Sequence, residues 1–271
     1  MTNLQLRIVS AVILAAAVLA TTWHGGVASR ILWALMAGAI FYEWTTIAAK
    51  TGRPGPRILA AVFLAASMLA MVAGFSAETV FLVLAVGTAL VFAFGVANGG
   101  GRETALGLAY AGASGAALSF LRGADDNGLV AILFLFAVVW ATDILAYFVG
   151  RALGGPKLAP RISPGKTWSG ALGGALGGVV GGVLLALAAG SGHLLLLACV
   201  ALFLSAVSQV GDLFESAVKR RHGAKDSGGL IPGHGGVMDR VDGLVAAGVA
   251  LYLIGAVAGS FDEPARLLFQ R

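Results

Sequence analysis

Three aspartates, Asp143, Asp212 and Asp239, fall within or at the edge of long apolar runs. A charged carboxylate at the centre of a membrane helix costs about 2.5–3.5 kcal/mol to insert, so each calls for a compensating partner. Asp143 stands in Val138-Val-Trp-Ala-Thr-Asp143-Ile-Leu-Ala-Tyr147, with no cation within a helical turn. A metal ion or a proton is the expected partner there. Asp212, then Glu215 or Ser216, then Lys219 recur at spacings of three, four and seven, which places them in one stripe on a helix. Asp239 and Asp242 are again three apart on one face. Carboxylate oxygens brought from separate helices suit Mg²⁺, which keeps waters and takes phosphate oxygens for its remaining ligands. Cysteine and clustered histidine are missing, which argues against zinc.

Cations surround these acids. Lys219, Arg220, Lys225 and Arg240 lie in the same short stretch, beside Gly228-Gly229 and His234-Gly235-Gly236. Basic residues alone would fit a loop touching anionic headgroups. That reading leaves the embedded Asp212 and Asp239 unexplained, and the glycines too, which let backbone N–H groups approach phosphate oxygens. His234 is either a phosphate donor or a structural hydrogen-bonding group. Asp226 and Glu103 read as interfacial carboxylates paired with a nearby lysine or arginine. Glu43, beside Trp44, reads by default as an interfacial anchor, with a role at the site as the alternative. A second basic stretch runs from Lys157 through Arg161, Ser163 and Lys166 to Trp168. Its Gly165-Lys166-Thr167 imitates the end of a P-loop, but the earlier glycine that motif requires would be position 160, a proline. Acids for Mg²⁺, cations for phosphates and glycine-lined backbone point to phosphoryl or nucleotidyl transfer at a membrane surface.

The elements that must hold these groups are membrane helices. The chain has 271 residues, 58% hydrophobic and 11% charged, with a mean hydropathy of +0.90. A soluble domain of this length could not enclose so much apolar residue. Nine windows reach the roughly 20 apolar residues a span requires: about 7–22, 30–48, 57–74, 78–96, 104–121, 128–149, 167–189, 193–215 and 241–259. The sequence predicts an all-α polytopic membrane helix bundle of about nine transmembrane helices. It reads as a single integral-membrane domain over 1–271, with a polar catalytic segment at 212–242. The first run is expected to be a retained helix, not a cleaved signal peptide, with only Arg7 as its positive flank. Turn chemistry marks the breaks, as in Gly52-Arg-Pro54-Gly-Pro56, Asn98-Gly-Gly-Gly101 and Gly154-Gly-Pro156. The net charge of +5 comes without interleaved aromatic and basic residues, so no nucleic-acid partner is expected. With nine spans, fourteen of the 18 lysines and arginines fall on one side, which the positive-inside rule makes cytoplasmic. Every candidate group above lies on that side. Gly170, Gly174, Gly178 and Gly182 recur every four residues, with Gly173, Gly177 and Gly181 beside them, and read as a helix-packing face. The lone Cys199 carries no disulfide inference.

Residues Ser216 to Asp242 resemble the signature of the phosphatidate cytidylyltransferase family, also called CDP-diacylglycerol synthases. Ser216, Lys219-Arg220, Lys225-Asp226, Pro232, His234-Gly235-Gly236 and Asp239-Arg240-Val-Asp242 match it without gap or mismatch. Tyr42-Glu43-Trp44, the stretch from Ala141-Thr-Asp143 to Gly155-Pro-Lys157, and Ser163-Pro-Gly-Lys-Thr-Trp168 extend the likeness over the chain. The resemblance implies transfer of a cytidylyl group from CTP to phosphatidate, giving CDP-diacylglycerol and pyrophosphate in phospholipid biosynthesis. It implies Asp212 and Asp239 as ligands of the catalytic metal, with Asp143 nearby. Two ions are expected, one Mg²⁺ and the second either Mg²⁺ or a monovalent cation. Lys219 and Lys225 would act at the reacting phosphates. Arg220, Arg240, His234, Gly235, Gly236, Lys166 and Ser163 would bind substrate. The implied setting is the inner (plasma) membrane with the site facing the cytoplasm, and a homodimer is compatible with it. Two rival readings stand beside it. Asp239 to Gly243 imitates the opening of the CDP-alcohol phosphotransferase pattern, but Ala246-Ala247-Gly248 stands where Ala-Arg should follow, and the later aspartates are missing. A cation-coupled transporter with an intramembrane aspartate site would be expected to show an internal repeat, and none is visible.

Overall fold

The computed structural model describes residues 3–48, 54–98 and 101–270. Lys50, Gly52, Arg53, Gly99, Gly100 and Arg271, which enter the charge count or the turn assignments above, lie outside them. Within the described residues the regular elements are nine helices and one small hairpin, all-α and polytopic as expected. Eight helices are long and apolar enough to cross a membrane, and the apolar part of the first, Val9–His24, is shorter. The chain is thus a multi-pass membrane protein. It divides into two compact units, one formed by the described residues up to Phe120 with Arg221–Val241, the other by Leu121–Arg220 with the residues from Asp242 on.

The first unit contains α1 (Asn3–His24), α2 (Gly26–Ala48), α3 (Pro54–Ala73), α4 (Ala77–Asn98) and most of α5 (Gly101–Arg122). Its core gathers around Trp44, whose indole N–H donates to the Glu103 carbonyl at 2.8 Å and whose ring lies 5.3 Å from that of Tyr110. Gly107 makes room for this indole; a Cβ there would stand 2.4 Å from the ring. A buried tryptophan thus has its polar atom satisfied and its flat face packed, the condition under which burying it is favourable. The polar loop of this unit, residues 222–237, leads into α9 (Met238–Ala258), and the division between the units falls inside that helix.

The second unit is built on α6 (Asp126–Leu153), α7 (Trp168–Ala188), α8 (Leu194–Arg221) and the body of α9. Asp125 caps α6 by accepting the Gly128 N–H at 2.9 Å, and Thr167 caps α7 by accepting the Gly170 N–H at 3.1 Å. Helices α6 and α8 have 28 residues each, about 42 Å at 1.5 Å per residue, and so outrun a hydrocarbon core of about 30 Å. The sequence windows stopped at 149 and 215 because the helices continue into polar sequence, which hydropathy cannot follow. The glycine stripe does pack. A Cβ on Gly170, Gly174, Gly177 or Gly181 would come within 2.7–2.9 Å of a carbonyl oxygen of α6. Backbone therefore meets backbone along α6 and α7, a spacing only glycine allows.

Between α6 and α7 the chain forms an antiparallel hairpin, β1 (Lys157–Ala159) and β2 (Ser163–Thr167), with Lys157 opposite Thr167 and Ala159 opposite Ser163. The sequence marks this stretch only as basic and lying between two predicted spans. Its strands are three and five residues long, with Pro164 inside β2 and Pro156 and Pro160 flanking β1, too little pattern to predict pairing. Gly154 and Gly155 adopt φ of +60° and +100°, a left-handed path that turns the chain out of α6 and into the hairpin.

Candidate active site

In the second unit a cavity of about 590 Å³ opens between α6, the hairpin and α8. Asp143 and Arg151 reach it from α6, Lys157 and Lys166 from the hairpin, and Gln209 and Asp212 from α8. Glycines at 150, 154, 155, 165 and 170 line much of the rest, with Tyr147, Leu158 and Thr167 among the other walls. Its size suits a small-molecule ligand, and two acids among three cations make it strongly polar. Lys166 forms an ion pair with Asp212 through Oδ2, and Ser216 donates more weakly to Asp212 Oδ1 at 3.4 Å. Asp143 lies within electrostatic range of Asp242, Asp212 and Lys166. Lys166 therefore serves more than one carboxylate, which answers in part the question of what compensates Asp143.

Below this cluster, Asp242 accepts the N–H of Gly243 at 2.7 Å and faces the carboxyl group of Glu215. Glu215 is 1% exposed and receives Lys219 Nζ on Oε2 at 3.1 Å. Its Oε1 is buried, and the group it meets there is the Asp242 carboxyl, an acceptor like itself unless a proton or a cation is shared between them. A buried acceptor left in this state is costly, and a cation is one partner that satisfies it. The donor set here, Asp143, Asp212, Asp242 and Glu215, consists of hard carboxylate oxygens of the kind Mg²⁺ prefers. Among the described residues no three acid, histidine or cysteine side chains converge closely enough to enclose an ion. An ion held here would complete its shell with water or phosphate oxygens, as Mg²⁺ commonly does. The residues fit such an ion.

The first unit holds the other half of the motif. Asp239 Oδ2 accepts the N–H groups of Ser227 at 2.8 Å and Gly236 at 3.2 Å. Glu43, from α2 and 1% exposed, accepts the N–H groups of Val237 at 2.9 Å and Met238 at 2.8 Å, and the hydroxyl of Ser227 at 3.1 Å. It is thus an interior group and not the interfacial anchor its place beside Trp44 suggested. Gly235 turns with φ +87°, and at Gly236 a Cβ would collide with Ser227 and crowd both Glu43 oxygens. These glycines serve the loop's own packing as well as any ligand. His234 Nδ1 lies 2.8 Å from Ser10 Oγ, and its carbonyl accepts Arg240 Nε and Nη2 at 3.1 and 2.7 Å. Both residues make structural bonds. Arg220 and Lys225 are exposed, Ser163 opens β2, and Glu103 faces Arg221 at 3.9 Å.

The structure therefore groups Asp143, Asp212 and Lys166 around one cavity, and Asp239, Gly235 and Gly236 in one loop. Sequence reasoning missed Arg151, Lys157 and Gln209 as lining residues, and Glu43 and Ser227 as the frame of the loop. Glu43 carried a usable signal, an acid in a predicted span with no cation within a turn, the same one that marked Asp143.

The family model described as "Cytidylyltransferase family" matches residues 5–258. A Phosphatidate cytidylyltransferase of Brucella suis biovar 1 (strain 1330) is 48% identical over 269 residues, covering 99% of each chain. One of Bacillus subtilis (strain 168) is 41% identical over 135 residues, about half of each chain. One of Pseudomonas aeruginosa is 50% identical over 123 residues, 45% of each.

Proposed function

This chain belongs to the cytidylyltransferase family, a nucleotidyltransferase family, and on that premise we propose that it transfers the cytidylyl group of CTP to phosphatidate. The products are CDP-diacylglycerol and pyrophosphate. A phosphate oxygen of phosphatidate attacks the α-phosphorus of CTP; the new O–P bond forms as the bond from the α-phosphorus to the bridging oxygen of the β-phosphate breaks. The second ionisation of a phosphate monoester lies near pH 6, so the attacking group is mostly dianionic at neutral pH and needs no dedicated base. What the reaction requires is relief of repulsion between a dianion and a triphosphate. The cavity carries the means: Arg151, Lys157 and Lys166 are placed to take phosphate charge around Asp143 and Asp212.

Asp143 and Asp212 are the proposed holders of Mg²⁺, and Asp239 is added on the strength of the Ser216–Asp242 motif. Bound Mg²⁺, as one of two ions or beside a monovalent cation, would supply Lewis-acid stabilisation to the phosphoryl oxygens. Lys219, Arg220, Lys225 and Arg240 are the motif's cations for pyrophosphate, with His234, Gly235, Gly236 and Ser163 as further substrate contacts. The proposed setting is the inner membrane with these groups facing the cytoplasm, and the lysine and arginine distribution supports that orientation. A homodimer is compatible with the proposal, which requires no second copy. The transporter reading finds no support in the family comparisons.

The observation that carries the proposal is the grouping of Asp143, Asp212 and three cations around one cavity in a chain with this family's motif. The test is pyrophosphate release by the purified protein with CTP, phosphatidate and Mg²⁺. Release that needs all three and stops with EDTA is expected. No release from folded protein would overturn the proposal.

A further inference from the structure

Helix α9 starts with nothing of its own to cap it. The residue before Met238 is Val237, which has no side-chain acceptor, yet the first N–H groups of a helix have no partner inside it. The acceptor comes from α2. Glu43 Oε1 takes the Val237 N–H at 2.9 Å, and Oε2 takes the Met238 N–H at 2.8 Å. A carboxylate at a helix N-terminus is favoured by charge as well as by hydrogen bonding. The same Oε2 holds the Ser227 hydroxyl at 3.1 Å. Ser227 in turn brackets Asp239: its N–H donates to Asp239 Oδ2 at 2.8 Å, and its Oγ accepts the Asp239 N–H at 3.3 Å. Three donors thus converge on Glu43, and an acceptor-only group is what they demand. The neighbouring backbone is shaped to it, since a Cβ on Gly228 would stand 2.9 Å from Glu43 Oε1.

We propose that Glu43 is a positioning residue for the cytidylyl transfer: it caps α9 from another helix, clamps Ser227, and thereby fixes where the Asp239 carboxylate points. The inference rests on the reaction proposed above and on Asp239 belonging to it. Glu43 touches no reacting atom; it acts through the loop.

Glu43→Gln tests this, because it keeps the side chain's shape while turning an amide N–H₂ toward groups that are themselves donors. Two readouts are taken on protein shown to be folded by size-exclusion chromatography. Hydrogen exchange of the amides at 236–239 is expected to accelerate at least tenfold. The kcat per folded molecule is expected to fall roughly 100-fold, as displacement of a reacting-site group by about 1 Å can cause, while KM for CTP moves less than about threefold. Should Glu43→Gln not fold, Ser227→Ala removes one strand of the clamp and is expected to give a smaller change of the same kind. A folded variant with wild-type kcat, or a loss of activity wholly accounted for by lost folded protein, overturns the inference. Unchanged exchange at 236–239 overturns it too, and this arm decides the clamp even if the wild-type protein makes no CDP-diacylglycerol.

Discussion

Asp212→Asn separates activity from stability, and the structure gives the size of each effect. The Asp212–Lys166 pair is partly open, with side-chain exposures of 35% and 26%. Pairs of this kind contribute about 0.2–1 kcal/mol. Replacing the carboxylate by an amide does not strand Lys166, since Asp143 remains within its electrostatic range. For a chain of this size 1 kcal/mol moves the unfolding midpoint by roughly 2–4 °C. The variant is therefore expected to melt within about 4 °C of wild type in detergent. Turnover should respond very differently. If Asp212 holds a metal that stabilises the transferring phosphoryl group by about 4 kcal/mol, losing that charge lowers kcat about 1000-fold. Pyrophosphate release and dye-monitored melting on the same preparation measure both quantities. Retention of more than about a tenth of wild-type turnover would remove Asp212 from the metal site. A midpoint lowered by 10 °C or more would refute the accounting of the ion pair as weak.

Gly178→Val places a Cβ about 2.5 Å from Thr142 Oγ1 and 2.9 Å from the Ser205 Cβ, and overpacking of this kind costs about 1–3 kcal/mol or more. A clear drop in the unfolding midpoint is expected, while Gly192→Ala, with nothing within 4 Å, should change it by no more than about 0.5 kcal/mol in equivalent stability. Lys225→Cys should react with an impermeant thiol reagent only from the cytoplasmic side of intact vesicles; labelling from the opposite side would reverse the orientation drawn from the charge count.

Most of the helical framework was legible because membrane-spanning sequence announces itself by hydropathy alone, a signal local to each run. The aspartates were legible for the complementary reason, that a carboxylate in such a run is out of place. Polar tertiary partnerships were not. Lys166 meets Asp212 across a hairpin whose short strands have no periodicity, and nothing in residues 157–167 announces the pairing. Glu43 shows the limit most clearly. Its three donors come from Ser227, Val237 and Met238, two of them backbone groups, which have no residue type to read. The four-residue period of the glycines marks a packing face, but not its partners, which are carbonyl oxygens of α6 at Gly170, Gly174, Gly177 and Gly181 and side chains that include Ser205 and Ala201 of α8 at Gly178 and Gly182.

The order in which the chain is made gives the Glu43 clamp a second meaning. Ser227 lies 184 residues downstream of the carboxylate, and Met238 lies 195. At about 5–20 residues per second, α2 leaves the ribosome roughly 10–40 s before the donors that satisfy its acid. Through that interval Glu43 lacks the three donors that hold it in the folded chain. A nascent chain stalled before Ser227 therefore keeps an unclamped acid in α2. The contact that caps α9 is thus made only after every helix before it has been synthesised.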